Sequence, residues 1–260
     1  MEHTFAVLMD WFLLLGGAFL AGLVDAVVGG GGLIQIPLLL SVFPATPIAV
    51  LFGTNKVSSV SGTLGACIRY VREIALPWRT VCWAAAAAFI GAWLGAQAVS
   101  LLPKEVLKPF VLVMLVLVGA YTFVRKDFGR LERASLPAHW VLPLSLIAGG
   151  VIGFYDGFFG PGTGSFLIFV FVRWFGFDFL KASASAKVVN VATNLAAIAS
   201  FALGEGILWK VGALMAIANL AGSQVGAHFA LKHGNGFIRW VFLVLVSVLV
   251  VKLGAEMIIA

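Results

Sequence analysis

Apolar runs long enough to cross a lipid bilayer follow one another along most of this chain. One extends from Trp11 to Val28, another from about Trp83 to Leu102, and a further, shorter one from Phe110 to Val124. A helix needs about 20 apolar residues to cross the hydrocarbon core of a bilayer. With short breaks between the runs, a chain of 260 residues holds roughly eight spans. The pattern therefore predicts an all-α integral membrane protein.

Composition and charge agree with this class and argue against others. The sequence is 62% hydrophobic and 11% charged, whereas soluble domains are about 45–50% apolar and about 25% charged. The net charge is +6, but the basic residues lie in the breaks between apolar runs, where they orient the spans. No basic stretch with interleaved aromatic residues lies outside the membrane, so nucleic acid is not an expected partner. Cys67 and Cys82 form no CxxC motif, and we expect no metal or cofactor.

The two halves of the chain repeat each other. Aligning the sequence with itself so that Gly22 matches Gly153 aligns the two halves without a gap. We call residues that are matched in this alignment equivalent positions. The identical pairs include Gly22 and Gly153, Asp25 and Asp156, Gly29 and Gly160, Gly31 and Gly162, Lys56 and Lys187, and Trp78 and Trp209. Apolar bias alone would match Leu and Val instead. We therefore divide the chain into two transmembrane repeats, residues 1–130 with the connecting loop and residues 131–260.

Each half contains a glycine cluster, Gly29–Gly32 or Gly160–Gly164. The first cluster precedes the run Leu33–Phe43, which contains Pro37 and is short for a span, so we predict a broken or re-entrant helix. Paired Gly/Pro-interrupted segments at corresponding positions are the best sequence pointer to the substrate site of a secondary transporter. The positions of the basic residues favour inverted over parallel repeats without deciding between them.

Four charged residues lie within apolar stretches: Asp25, Asp156, Lys56 and Lys187. A charge at the centre of a membrane helix costs at least about 2.5–3.5 kcal/mol, so a functional role is the default interpretation. The aspartates either brace the broken backbone by accepting loop N–H bonds or carry protons that couple transport to a proton gradient. The lysines either form structural ion pairs with the aspartates within each half or bind an anion together.

The glycine clusters favour the anion interpretation. Glycine lets backbone N–H groups approach a ligand, and a helix N-terminus offers free donors and partial positive charge. Polar stripes at residues 55, 59 and 62 and at residues 187, 190 and 194 suit a wet cavity. The expected substrate-binding residues are Lys56, Lys187, Gly30, Gly31, Gly32, Gly162, Thr163, Gly164, Asn55, Asn190 and Asn194, with Asp25 and Asp156 for proton coupling. Alternatively, the glycines only permit tight helix crossings, which is the preferred interpretation for the GxxxG pairs Gly91/Gly95 and Gly222/Gly226.

These motifs resemble the TauE/SafE family, prokaryotic exporters of sulfite and organosulfonates. The residues that carry the resemblance are GLVDAVVGGGGLIQIP, the TNK that ends at Lys56, GFYDGFFGPGTGS, and the AKVVN that ends at Asn190. The resemblance covers about Ala18 to Lys252 in the family's duplicated arrangement. It implies a multi-pass permease of the bacterial inner membrane for small sulfur-containing anions, and the family name suggests export. It does not fix the cargo.

Several functions remain open at this point. The leading hypothesis is a transporter that works by alternating access, and sequence alone does not separate it from an anion channel. An intramembrane aspartyl protease, suggested by Tyr155-Asp156, is disfavoured because neighbouring lysines do not help two carboxylates that must share a proton. A subunit without cargo leaves the buried charges unexplained. Faces of small residues are compatible with a homodimer but do not demand one.

Overall fold

The computed structural model describes residues 2–100, 136–204 and 206–259, and all regular structure in these ranges is helical. The helices are α1 (Glu2–Val28), α2 (Gly32–Val42), α3 (Ile48–Glu73), α4 (Trp78–Ser100), α5 (Ala138–Phe158), α6 (Thr163–Arg173), α7 (Phe179–Leu203) and α8 (Trp209–Ile259). Helix α8 is kinked at Gly234. The expected span Phe110–Val124, the central loop and the boundary at residues 130–131 lie outside the described residues.

Five helices of the described part are long and apolar enough to cross a membrane. These candidate spans are Leu8–Val28, Trp78–Val99, Ala138–Phe158, Phe179–Leu203 and Trp209–Gly234. Helix α3 is 26 residues long but more polar, because it carries the predicted polar stripe. Large apolar side chains such as Phe12 and Ile217 are exposed on the outside of the bundle, as expected of a lipid-facing surface. The all-α membrane class is confirmed, whereas the count of about eight spans stays a prediction.

Helices α2 and α6 are short, with 11 residues each. The chain turns between α1 and α2 at Gly29 and Gly30, whose φ angles are 71° and 132°, values that favour glycine. Helix α2 then runs back along α1, since a Cβ atom at Gly17 would collide with Leu38 near the far end of α2. The short helix that follows a break in the chain, predicted at Leu33–Phe43, is therefore present as α2.

Close glycine contacts join α4 to α5. Cβ atoms at Gly149, Gly153 and Gly157 of α5 would each collide with the carbonyl oxygen of Ala84, Ala88 or Ala92 of α4, in that order. The contacts advance in the same direction along both helices, so α4 and α5 run parallel. Only glycine permits backbones to approach this closely.

Helices α1 and α8 pack in the same manner. Gly222 of α8 lies against the Phe19 carbonyl group and Gly226 against that of Leu23, so these helices also run parallel. Gly91 and Gly95 of α4 likewise lie against backbone atoms of α5. The packing role preferred for both GxxxG pairs is confirmed.

The central helices α3 and α7 run antiparallel. Near the start of α3, a Cβ atom at Gly53 would lie 3.0 Å from the Phe201 Cβ atom, close to the end of α7. Further along α3, Thr63 shares a hydrogen-bond acceptor with Lys187 from the first half of α7. The two lysine-bearing helices therefore cross the bundle in opposite directions and face both glycine turns.

Candidate functional site

Two buried ion pairs lie where the glycine turns meet α3 and α7. Lys56 Nζ lies 2.8 Å from Asp156 Oδ1, and Lys187 Nζ lies 3.1 Å from Asp25 Oδ2. Each pair joins one half of the chain to the other, so the alternative of ion pairs within each half is wrong. The physical reason is that α3 lies against the turn after α5: a Cβ atom at Gly160 would be 3.0 Å from Lys56 Nζ.

The Asp25 carboxylate is surrounded by donors. Its Oδ1 atom accepts the N–H groups of Gly30 at 3.2 Å and Gly31 at 3.5 Å. Its Oδ2 atom accepts the Thr63 hydroxyl at 3.2 Å as well as the Lys187 ammonium group. Lys187 also donates to the backbone carbonyl group of Asp25. The bracing role considered for Asp25 is thus confirmed, because its side chain fixes the turn between α1 and α2.

The last carbonyl groups of α1 accept side-chain hydrogen bonds from other helices. The bonds are Tyr70 Oη to Ala26 O at 2.9 Å, Ser183 Oγ to Val27 O at 3.1 Å, and Ser165 Oγ to Val28 O and Gly29 O at 3.0 and 2.9 Å. A helix end leaves its final carbonyl groups without intrahelical donors, and inside a membrane no bulk water replaces them. These hydroxyl groups allow α1 to end within the protein.

The Asp156 carboxylate has fewer partners. Its Oδ1 atom pairs with Lys56, but its Oδ2 atom has no hydrogen-bond partner among the described residues, although the side chain is only 3% exposed. Near this turn, Tyr155 Oη donates to the Pro161 carbonyl oxygen at 2.7 Å and Thr163 Oγ1 to that of Gly160 at 2.7 Å. Those bonds hold the backbone of the turn, and neither of them involves the Asp156 carboxylate.

A small cavity lies between the two turns. Its lining residues are Asp25, Gly30, Gly31, Gly32, Asn55, Lys56, Ser59, Thr63, Asp156, Gly160, Thr163, Gly164, Asn190 and Asn194. All are polar or glycine, within a bundle whose other buried residues are mostly apolar. Gly32 and Gly164 belong to the first turns of α2 and α6, and the positive ends of two helix dipoles therefore converge here. With the Lys56 ammonium group, these features are chemically suited to a small anion.

The cavity contains nearly all the expected site residues. The exceptions are Lys187, whose side chain is fully buried against Asp25, and Gly162, which caps α6 with a φ angle of 81°. Ser59 and Thr63 also line the cavity, and sequence reasoning did not select them as site residues. The sequence spacing does indicate them, because Asn55, Ser59 and Thr63 are four residues apart and therefore share one face of the helix.

A multi-pass helical bundle with a buried polar cavity between two broken helices is the architecture of a membrane transporter. The family model described as "Sulfite exporter TauE/SafE" matches residues 14–253, and the chain belongs to this family. The protein is accordingly a multi-pass membrane transporter.

Similar proteins bear names of the same kind. The "Probable membrane transporter protein YfcA" of Escherichia coli (strain K12) is 34% identical over 259 residues, covering 97% of this chain and 94% of the relative. The "Probable membrane transporter protein ORF9" of Sinorhizobium sp is 35% identical over 239 residues, covering 92% and 90%. A "Probable membrane transporter protein" of Haemophilus influenzae is 36% identical over 221 residues, covering 85% of each chain. These names indicate a transporter rather than an enzyme. No solved structure significantly matches the chain.

Proposed function

We propose that this protein is a secondary transporter that moves a small sulfur-containing anion, such as sulfite or an organosulfonate, outward across the bacterial inner membrane. One observation carries the proposal: Lys56 and the first turns of α2 and α6 line the same buried cavity. An ammonium group and two helix N-termini attract anions, and their hydrogen-bond donors replace the water that a small anion loses on entering the cavity. The description of the family model, a sulfite exporter, supplies the class of anion.

We infer further that residues 1–130 and 131–260 are inverted repeats. Helices α2 and α6 begin at the equivalent positions Gly32 and Thr163, and α3 and α7 begin at the equivalent positions Ile48 and Phe179. Corresponding helices α3 and α7 run in opposite directions, which favours inversion. A site at the interface of inverted repeats suits alternating access, in which one bundle rocks against the other around the bound anion.

Proton coupling follows from the charges around the cavity. Asp25 and Asp156 oppose Lys56 and Lys187, so the four charges cancel when all are ionised. An anion adds a negative charge to a site from which water is largely excluded, and charge there is costly unless it is compensated. A proton taken up by an aspartate compensates it, so that anion binding and proton binding are coupled.

The binding site is tested by thermal unfolding of the purified protein with sulfite, sulfate, thiosulfate, sulfoacetate, taurine, phosphate and acetate. A ligand present at one hundred times its Kd stabilises the folded state by about 2.7 kcal/mol. We expect at least one sulfur oxyanion or sulfonate to raise Tm in the wild type and not in Lys56→Ala. The matched control is Lys210→Ala, which removes an exposed lysine at the start of α8 and retains the shift. An equal shift in Lys56→Ala contradicts the site.

Transport is tested in proteoliposomes with the anion that gives the largest shift. A carrier gives flux that saturates with anion concentration and changes when a pH gradient is imposed. Flux that is far faster and does not saturate identifies an anion channel instead. The carrier is favoured because the cavity side chains Asn55, Lys56, Asp156 and Asn194 are all less than 5% exposed, so no open pore passes through them.

A further inference from the structure

The two buried ion pairs differ in how completely their carboxylates are hydrogen bonded. Asp25 receives two backbone N–H groups, one hydroxyl group and one ammonium group, which occupy both of its oxygens. Lys187 is fully buried and also holds the Asp25 carbonyl oxygen. Moving Lys187 away would break several bonds at once. This pair therefore has the contacts of a permanent brace.

Asp156 lacks the contacts that saturate Asp25. The position equivalent to Gly30 in the second half is Pro161, which has no N–H to donate. The position equivalent to Thr63 is Asn194, which lines the cavity. Asp156 Oδ2 is consequently buried at the cavity without a partner among the described residues. An unpaired buried carboxylate oxygen is costly, and a bound proton removes most of that cost.

The charged neighbours of Asp156 define what happens when an anion arrives. Lys56 from α3 is its ion-pair partner, Asp25 from α1 lines the same cavity, and Lys187 from α7 is engaged by Asp25. The Tyr155 hydroxyl on α5 donates to Pro161 instead. Among the described residues that line the cavity, Lys56 is the single lysine, and an anion must compete with Asp156 for it.

We propose that Asp156 alone is the coupling carboxylate: anion binding draws Lys56 away from Asp156, and Asp156 takes up one proton from solution in the same step. The Lys56 ammonium group keeps its protons and changes only its partner, while the Asp25–Lys187 pair stays ionised throughout. The result is one proton bound per anion bound. This inference rests on the proposed function and deepens it, since the sequence alone treats the two aspartates as equal.

Proton uptake on binding is measured by titration calorimetry in two buffers of different ionisation enthalpy. The probes are thiosulfate and sulfoacetate, whose own charges are constant near neutral pH. For the wild type we expect about one proton per anion and an apparent Kd that falls about tenfold per unit decrease in pH. For Asp156→Asn we expect no proton uptake and no pH dependence of Kd. The matched variant Asp178→Asn, which neutralises a carboxylate at the N-cap of α7 that does not line the cavity, is expected to take up the proton as the wild type does.

The outcomes separate this inference from the proposed function. Failure of the wild type to bind either anion overturns both. Binding without proton uptake, or equal uptake in Asp156→Asn, overturns the coupling role of Asp156 and leaves the anion site standing. If Asp156→Asn does not fold, infrared difference spectra of the wild type decide the matter. Anion binding must then produce the carbonyl band of a protonated carboxyl group, and its absence contradicts the proposal.

Discussion

The end of α1 and the end of α5 hold the same kind of turn by different means. Around the α1 end, side chains from α3, α6 and α7 donate hydrogen bonds to the backbone. At the equivalent positions in the other half, Tyr70 is replaced by Phe201, Ser183 by Phe52 and Ser165 by Ile34. The α1 end is therefore fixed by directional bonds, whereas the corresponding positions around the α5 end have apolar side chains.

Aromatic packing surrounds the α5 end in place of those hydroxyl groups. Phe159 lies 6.2 Å from Phe52 and 5.9 Å from Tyr155, measured between ring centroids, and both contacts are edge-to-face. Such contacts are less strict in geometry than a network of buried hydrogen bonds. Elements that move in a functional cycle come from the less stabilised parts of a protein. Under the proposed coupling, the α1 end is therefore the fixed side and the α5 end is the side that responds to the anion.

The largest expected effect is the loss of the Asp25 brace. Lys187→Met leaves the Asp25 carboxylate buried without its counterion, and removing one partner of a buried pair costs about 3–5 kcal/mol. We expect Tm in detergent to fall steeply. The matched change Lys56→Met is expected to lower Tm less, because Asp156 can take up a proton, but to abolish anion binding. Equal destabilisation by the two changes contradicts the division between a fixed and a responsive side.

Double-mutant cycles sharpen the same comparison. Direct partners show coupling energies of about 0.5–3 kcal/mol. We expect the cycle of Asp25→Asn with Lys187→Met to lie at the upper end of that range, because neutralising both groups removes the uncompensated charge. The cycle of Asp156→Asn with Lys56→Met is expected near the lower end. Both are measured by reversible denaturant unfolding in mixed micelles, and the reverse order contradicts the assignment.

A single hydroxyl group at the α1 end is expected to have an intermediate effect. Ser183→Ala leaves the Val27 carbonyl oxygen without its side-chain donor, and an unsatisfied buried group costs about 1–3 kcal/mol. The control is Ser145→Ala, since Ser145 is equally buried but donates at 2.6 Å to Val141 within its own helix. We expect Ser145→Ala to change the free energy of unfolding by much less. Equal losses, measured by denaturant unfolding, imply that the α1 end needs no donors from other helices.

Much of this arrangement is predictable from the sequence, and the reason is chemical. Apolar runs predict spans, while glycine and proline mark the short, broken helix at Gly32–Val42. Asp and Lys within apolar runs are costly, and the buried charges therefore point directly to the candidate cavity. All the expected residues except Lys187 and Gly162 line one cavity, because aligning the two halves brings out chemically special positions rather than apolar filler.

The partners of those charges are not predictable in the same way. Pairing of Lys56 with Asp156 depends on how α3 crosses the turn after α5, a tertiary contact that helix periodicity does not contain. For the same reason, the sequence treats Lys56 and Lys187 alike although only Lys56 lines the cavity. Pro161 at the position equivalent to Gly30 is visible in the sequence. Its consequence for Asp156, the loss of a backbone N–H donor, becomes apparent only from the structure of the turn.

Pro161→Gly is expected to have the smallest effect on stability. It gives the turn after α5 the glycine that the turn after α1 has at the equivalent position, Gly30. The change supplies an N–H near Asp156 like the one that Gly30 donates to Asp25. A new hydrogen bond contributes about 0.5–1.5 kcal/mol, and replacing proline adds a comparable entropy cost of about 0.4–1 kcal/mol in the unfolded chain. Tm should therefore hardly change.

Because Asp156 Oδ2 would then have a donor in the Pro161→Gly variant, calorimetry should show fewer protons taken up per thiosulfate bound than in the wild type. The control is Pro143→Gly near the start of α5, away from the turn, which should leave proton uptake unchanged. If Pro161→Gly also leaves uptake unchanged, the missing N–H is not what makes Asp156 responsive, and the apolar positions Phe52 and Phe201 become the remaining difference between the two ends.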